Sequence, residues 1–393
     1  MKAYKMRIYP SKEQTEKLDF ALDTCRQAYN MMLGELNNQT IIDRNMIQSM
    51  LPDMKICEPR FREVYSKTLQ YECYRLFSNL SALRVLKGNH KKVGRLRFKG
   101  KGWFKTINYN QSGFSLDKEN KKLNLSKIGD INIKIHREVI GNIKQITIKK
   151  SIDKWYVTII TDAIIKTKCG NKEIGIDLGI NNYLVDSEGN KTENPKILNK
   201  YKKELRVKQK CLSRKKKRSN NRKKARIQVA KLYEKITNVR RDFLHKLTTK
   251  LVNENQFIAM ENLDIKQMSQ KKYFNARNML DCSWGEFGNL LNYKAENAGC
   301  LVVKVNPKNT SKMCSGCGDL QDMPLWRRTY ECDCGLVIDR DYNSAKNILN
   351  LGQELSSVEN NPSVQIEQGL SMKQEATCLR SGSSHNKKIH FLG

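Results

Sequence analysis

The chain is 393 residues long and carries 73 Lys+Arg against 40 Asp+Glu, a net charge of +33 at pH 7. Two or three domains of the usual ~100–200 residues fit that length, and 39% apolar content excludes wholesale disorder. No run reaches the ~18 consecutive apolar residues of a membrane span, residues 1–7 lack a signal-peptide core, and the charge excess calls for a polyanion, nucleic acid ahead of an anionic membrane.

Residues 1–10 read as a strand ended by Pro10, and Ser11 caps a helix that opens with Lys12-Glu13-Gln14. Leu18, Ala21, Leu22, Cys25, Ala28, Tyr29, Met32 and Leu33 recur at helical spacing on one apolar face, and helical patterning continues to about Leu86. From about Val93 to Ile165 the pattern changes to short alternating segments, such as residues 94–98, 131–135 and 155–160. They predict an antiparallel β module, a small barrel. Its Lys and Arg alternate with Phe98, Trp103, Phe104 and Tyr109, which suits either nucleic acid or a solvated strand face.

Residues 173–180 form an apolar strand interrupted by Asp177, with Gly175 and Gly179 beside it and a hairpin partner at 182–189. A carboxylate among core residues is costly unless it is paired or bound to metal. Residues 200–226 hold fifteen Lys+Arg and one acid, Glu204, and the densest part contains Arg214, Lys215, Lys216, Lys217, Arg218, Arg222, Lys223 and Lys224. This run leads into a helix with a stripe of Val229, Leu232, Ile236, Val239, Phe243, Leu247 and Leu251. Cations anchored to such an element suit phosphate contacts without sequence choice; a solvated loop is the plain alternative. Residues 257–263 read as a short buried strand ending in Glu261.

Twelve cysteines, most of them single, fit a reducing cytoplasm. Cys314 and Cys317, then Cys332 and Cys334, sit on two glycine-containing turns fourteen residues apart, a pattern that suits one structural Zn²⁺ held by four thiolates. The second pair is shorter than the usual spacing by one residue. Residues 338–349 place Asp341 at a helix start.

Singly, Asp177, Glu261 and Asp341 fit ordinary roles in a hairpin, at a strand end and as a helix cap. Together, converging on one sheet, they suit two divalent cations about 4 Å apart for phosphodiester cleavage, with Mg²⁺ or Mn²⁺ favoured by oxygen ligands. The five histidines offer no competing triad, since His385 and His390 lie in the tail.

The order of residues 175–179, Glu261, residues 310–318 and residues 339–345 resembles the TnpB (OrfB) family of insertion-sequence proteins. So do residues 241–247, residues 284–287 with 293–295, Tyr9-Pro10, and the Cys-x3-Tyr-Asn pattern of Cys25, Tyr29 and Asn30. The resemblance spans about residues 1–352. It implies an α+β multidomain protein with an RNase H-like RuvC nuclease domain, a zinc-ribbon insertion, a helical recognition lobe and an antiparallel β-barrel wedge.

On that pattern residues 1–10 give the first wedge strand, 11–92 the recognition domain, 93–168 the wedge, 169–306 the RuvC domain, 307–337 the zinc insertion, 338–351 the last RuvC helix and 352–393 a mobile tail. Asp177, Glu261 and Asp341 become the nuclease carboxylates, with Asp339 the fallback for the third, and the four cysteines the zinc positions. The implied activity is RNA-guided DNA cleavage in the prokaryotic cytosol, related to type V CRISPR effectors. Its partners are a transposon-derived guide RNA and double-stranded DNA beside a short motif, with no membrane. A strand-transfer transposase and a nuclease-inactive DNA-binding regulator remain the alternatives.

Overall fold

The N-terminal strand β1 (Lys2–Tyr9) buries Tyr4, Met6 and Ile8 on one side, the period-2 pattern of a half-covered sheet. In the computed structural model, which describes residues 1–39, 43–164, 167–270, 276–324 and 326–359, two units form, residues 1–164 and residues 167–359.

In the first unit α1 (Lys12–Asn38) starts with a capping box. The Ser11 hydroxyl accepts from the Gln14 amide at 3.2 Å, and the Gln14 side chain accepts from the Ser11 amide at 2.9 Å. Helices α2 (Arg44–Ser49), α3 (Leu51–Cys57) and α4 (Ser66–Gly88) follow. The remaining strands are β2 (Thr106–Asn110), β3 (Phe114–Asp117), β4 (Lys122–Leu125), β5 (Gly129–Lys134), β6 (Ile143–Ser151) and β7 (Lys154–Thr161). With β1 they form one antiparallel sheet in the order β2-β6-β7-β1-β5-β4-β3. The sheet curls: the Tyr109 hydroxyl of β2 reaches the Ser126 carbonyl beyond β4 at 3.5 Å, and the Ser126 amide donates to Gly113 at 2.9 Å.

Residues 94–98, expected as a strand, are not one. Their neighbour Lys99 bonds through its backbone to Asn30 and Arg26 side chains on α1 instead of to another strand. Phe104 and Tyr109 are core residues, while Phe98 and Trp103 are exposed.

The second unit contains β8 (Lys172–Leu178), β9 (Asn182–Asp186), β10 (Lys191–Glu193), α5 (Ile197–Ser213), α6 (Asn220–Glu254), β11 (Asn255–Glu261), α7 (Ile265–Gln270), α8 (Ala276–Cys282) and α9 (Trp284–Ala298). Then come β12 (Leu301–Val305), the short hairpin β13 (Thr329–Glu331) and β14 (Val337–Asp339), and α10 (Arg340–Glu359). The sheet order is β10-β9-β8-β11-β12, with β8, β11 and β12 parallel and the others antiparallel. One face packs Ile176 and Ile258 with Leu244 of α6 and Phe287 of α9; the other packs Phe257 and Ala259 with Ile348 of α10. This is the RNase H-like arrangement.

Two expectations change here. The last helix runs to Glu359 rather than ending at 351, so the expected tail begins as helix; residues 360–393 lie outside the described residues. Gly352 does not end it, because its bare backbone lies against the sheet, where a Cβ would fall 2.5 Å from Ala259 Cβ. The α6 stripe also divides. Val229, Leu232 and Ile236 pack with Leu205 of α5, whereas Leu244, Leu247 and Leu251 pack on the sheet, leaving Val239 at the changeover 38% exposed. A helix of 3.6 residues per turn that meets two partners in succession need not keep one stripe.

Candidate active site and metal centre

Asp177 is the penultimate residue of β8 and Glu261 the last of β11. The parallel register pairs Ile176 with Met260, so the two carboxylates end adjacent strands. Gly175 permits the third to approach: α10 lies so close to β8 that a Cβ there would be 2.2 Å from the Ala345 carbonyl. Asp341, the second residue of α10, thereby lines the same cleft of ≈ 880 Å³ as Asp177 and Glu261, with Arg328 and Arg340.

The electrostatics follow from this crowding. Burial, then the charges of Glu261 and Asp341, push the Asp177 carboxyl up to about 8, against the opposing pull of Arg340. Burial also raises Glu261, while a hydrogen bond from the Thr310 hydroxyl at 2.6 Å favours its ionised form. Arg340 donates to Asp341 Oδ1 through Nε at 3.2 Å and Nη2 at 3.0 Å.

Asp339 has a different task. Its Oδ1 accepts the amides of Asp341 at 2.9 Å and Tyr342 at 3.2 Å, and its Oδ2 accepts Lys191 at 2.7 Å. It caps α10 and so aims Asp341.

The sulfurs of Cys314, Cys317, Cys332 and Cys334 lie within 4.8 Å of one another, with Cys314 and Cys334 3.7 Å apart and Cys317 and Cys332 3.5 Å apart. Four sulfurs at ~2.3 Å around a tetrahedral Zn²⁺ stand close to 3.8 Å apart, so the donor set fits that ion. The one-residue second knuckle is accommodated by a turn in which the Gly335 amide donates to the Cys332 carbonyl at 2.9 Å, with Gly335 at φ +90°.

Buried Asn343 and Asn347 of α10 join the two centres. The Asn343 amide donates to the Met313 carbonyl at 2.7 Å and its oxygen accepts from Ser315 at 2.9 Å; Asn347 donates to the carbonyls of Thr310 at 2.9 Å and Met313 at 2.6 Å. Neither residue was singled out from the sequence as part of a site, though an i, i+4 pair of Asn behind an acidic helix start is a visible signal.

Arg214, Lys215, Lys216, Lys217 and Arg218 occupy the turn between α5 and α6, exposed, and Lys223 and Lys224 stand exposed on the first turns of α6. Arg222 is different: its Nη1 donates to the carbonyls of Leu212 and Lys215, both at 3.0 Å, and closes the hairpin. The 241–247, 284–287 and 293–295 segments hold α6 against α9, through Arg241 with Glu286 at 2.6 Å, Tyr183 between Phe243 and Phe287, and Lys294 on His245, Thr248 and Thr249.

Against known proteins, residues 155–272 match a family described as "Probable transposase" (OrfB, IS605), residues 284–348 one described as "Cas12f1-like, TNB domain", and residues 1–40 a "Helix-turn-helix domain". A "Putative RNA-guided DNA endonuclease" of Streptomyces pristinaespiralis is 32% identical over 376 residues, 91% of this chain and 90% of that one. The chain belongs to the TnpB (OrfB) family. A second relative, the "Putative RNA-guided DNA endonuclease InsQ" of Escherichia coli (strain K12), is 28% identical across 96% of this chain and 98% of its own. The TnpB chain also shares its fold with Cas12f1 in a complex with sgRNA and target DNA, at a TM-score of 0.54 and 17% identity over 86% of this chain and 83% of that one. Its residues 1–38 form a strand and one long helix rather than a helix-turn-helix.

Proposed function

We propose that the chain is an RNA-guided DNA endonuclease that hydrolyses phosphodiester bonds at the Asp177, Glu261 and Asp341 cleft. The observation that carries the reading is the meeting of three carboxylates, from two adjacent strands and a helix head, in one cleft where burial first, and the neighbouring acids second, hold Asp177 toward its protonated form. Hard oxygen donors of this kind fit Mg²⁺ or Mn²⁺; ions held by Asp177, Glu261 and Asp341 would supply an activated water and charge neutralisation at the departing 3′ oxygen.

The protein's own part is to orient. Thr310 fixes the Glu261 carboxylate, the Asp339 cap and the Arg340 guanidinium hold Asp341, and the half-exposed Arg328 offers a guanidinium group to the phosphates of an entering strand. Cys314, Cys317, Cys332 and Cys334 would hold a zinc, which would pin the insertion beside α10. Guide RNA supplies sequence by base pairing, while Arg214 to Arg218, Lys223 and Lys224 follow phosphate and the helices and curled sheet of residues 1–164 grip RNA and target DNA. The names of the relatives and the contents of the Cas12f1 complex support this division of labour. Such an enzyme works in the prokaryotic cytosol, and no described helix is long and apolar enough to cross a membrane.

The test is to sequence the RNA that copurifies with the protein and offer matching DNA flanked by random bases. Mg²⁺-dependent cutting beside a preferred motif is expected, lost in Asp177→Ala while RNA is retained. Undiminished cutting by that variant rejects the acid assignment. Joining of transposon ends without RNA points to strand transfer, and DNA binding without cutting to a regulator.

A further inference from the structure

Phe98 and Trp103 are 60% and 68% exposed, two large rings in water that the cutting chemistry does not use. They lie in residues 91–105, which hold seven Lys+Arg and no acid. Though irregular, this strap is fastened to α1. Asn30 treats Lys99 as a neighbouring strand would, accepting its amide at 2.8 Å and donating to its carbonyl at 3.0 Å. Arg26, itself held by Asp23 at 2.8 Å, adds a bond to the same carbonyl at 3.1 Å. Five residues on, Phe104 is buried edge to face against Tyr29 at 5.7 Å. The tail of the Cys-x3-Tyr-Asn pattern is therefore the fastening: Asn30 holds residue 99 and Tyr29 holds residue 104.

Between the anchors the chain turns tightly. The Trp103 amide donates to the Gly100 carbonyl at 3.1 Å, and Gly102 sits at φ +76°, a conformation that favours glycine. Each exposed ring stands one residue before an anchored one. The Phe98 ring edge lies 4.0 Å from where a Gly34 Cβ would be, so α1 backs it, and the Lys99 ammonium stands 5.6 Å from the Trp103 ring centroid.

We propose that Phe98 and Trp103 form a stacking site for unpaired bases of RNA, with Arg95, Arg97 and Lys105 taking the flanking phosphates. An exposed ring backed by a fastened strap binds a base face without first being ordered. A duplex hides those faces, so the ligand is single-stranded. The choice of RNA rests on the function proposed above: the guide is unpaired before a target arrives, whereas target DNA arrives paired.

The experiment uses full-length protein, freed of nucleic acid at high salt, in anisotropy titrations with oligouridylate, oligodeoxythymidylate and an RNA duplex of equal length. Phe98→Ala and Trp103→Ala are each expected to weaken oligouridylate binding about tenfold, leave duplex binding and the salt dependence unchanged, and keep the parent's melting temperature. Trp103→Phe, which retains a ring, should restore most of the affinity. Unchanged oligouridylate binding, or an equal loss on the duplex, overturns the stacking site; a larger loss on oligodeoxythymidylate overturns RNA as its occupant. Because no cutting is read, these outcomes stand apart from the Asp177→Ala test of the nuclease.

Discussion

Thr310 donates its hydroxyl to Glu261 Oε1 at 2.6 Å, four residues before the first cysteine ligand Cys314. The carboxylate at the end of β11 is thus oriented by the segment that opens the zinc knuckle. Thr310→Val keeps the shape and removes the donor. Removing a partner that orients a metal ligand costs roughly 10–100-fold in metal affinity or activity, so cutting should slow within that range and need more Mg²⁺ for its half-maximal rate. A Mg²⁺ titration of cleavage reads this directly; an unmoved midpoint excludes the orienting role.

The four thiolates predict about one zinc per chain. Cys314→Ser should lower bound zinc and also reduce cutting, because Asn343 and Asn347 hang the first knuckle on the helix that carries Asp341. Metal analysis with parallel cleavage assays checks both. Loss of zinc with full activity would show the knuckle to be independent of the cleft.

Asn347→Ala strips the buried carbonyl of Thr310 of its side-chain donor, while the Met313 carbonyl keeps Asn343. An unpaired buried acceptor costs about 1–3 kcal/mol. Urea denaturation should show a loss of that size, where a solvent-exposed Asn would give almost none.

Legibility in the sequence followed the range over which each feature is determined. Asp177 stood out because an acid interrupted an apolar strand, and the cysteines because two tight turns carried them. The 94–98 segment misled because Arg95, Leu96, Arg97 and Phe98 alternate like a strand, while the groups that satisfy its neighbour's backbone, on Asn30 and Arg26, lie about seventy residues away. The last helix outruns its expected end at 351, and the fit of Gly352 against Ala259 across the sheet is a contact between residues far apart in the chain. Arg222 was indistinguishable in composition from its neighbours; only the hairpin geometry sets it to holding carbonyls.

That difference predicts contrasting behaviour in the basic arm. Replacing Arg214, Lys215 and Lys216 with Gln should flatten the dependence of DNA affinity on salt by up to about 0.9 for each phosphate no longer neutralised. Arg222→Ala should instead lower the melting temperature, with a smaller change in slope. Binding titrations across a salt series separate the two, and an identical response from both variants would contradict the assigned roles.

Glu72 of α4 is buried beside Arg75 at 3.1 Å, and burial, outweighing that arginine, pushes its carboxyl up to about 8 from the ordinary 4.5. The folded state therefore keeps the proton that the unfolded chain releases. Stability from this group is complete below pH 4.5 and is lost as pH rises to about 8. As pH rises between those limits Glu72→Gln should gain progressively on the parent, reaching on the order of 5 kcal/mol at the upper one. Urea denaturation of both proteins across that range measures the difference, and a constant gap would refute the shift.

Strand β1, which precedes its sheet partners in the chain, occupies the middle of the first unit's sheet, with β5 on one side and β7 on the other. On the ribosome β1 therefore has no partner on its β7 side until residues as late as 161 have emerged, a wait during which that edge needs cover. Translation begun at Met31 would omit β1 and most of α1, leaving β5 and β7 as two facing open edges. Such a product would be expected to aggregate through strand pairing with its own copies.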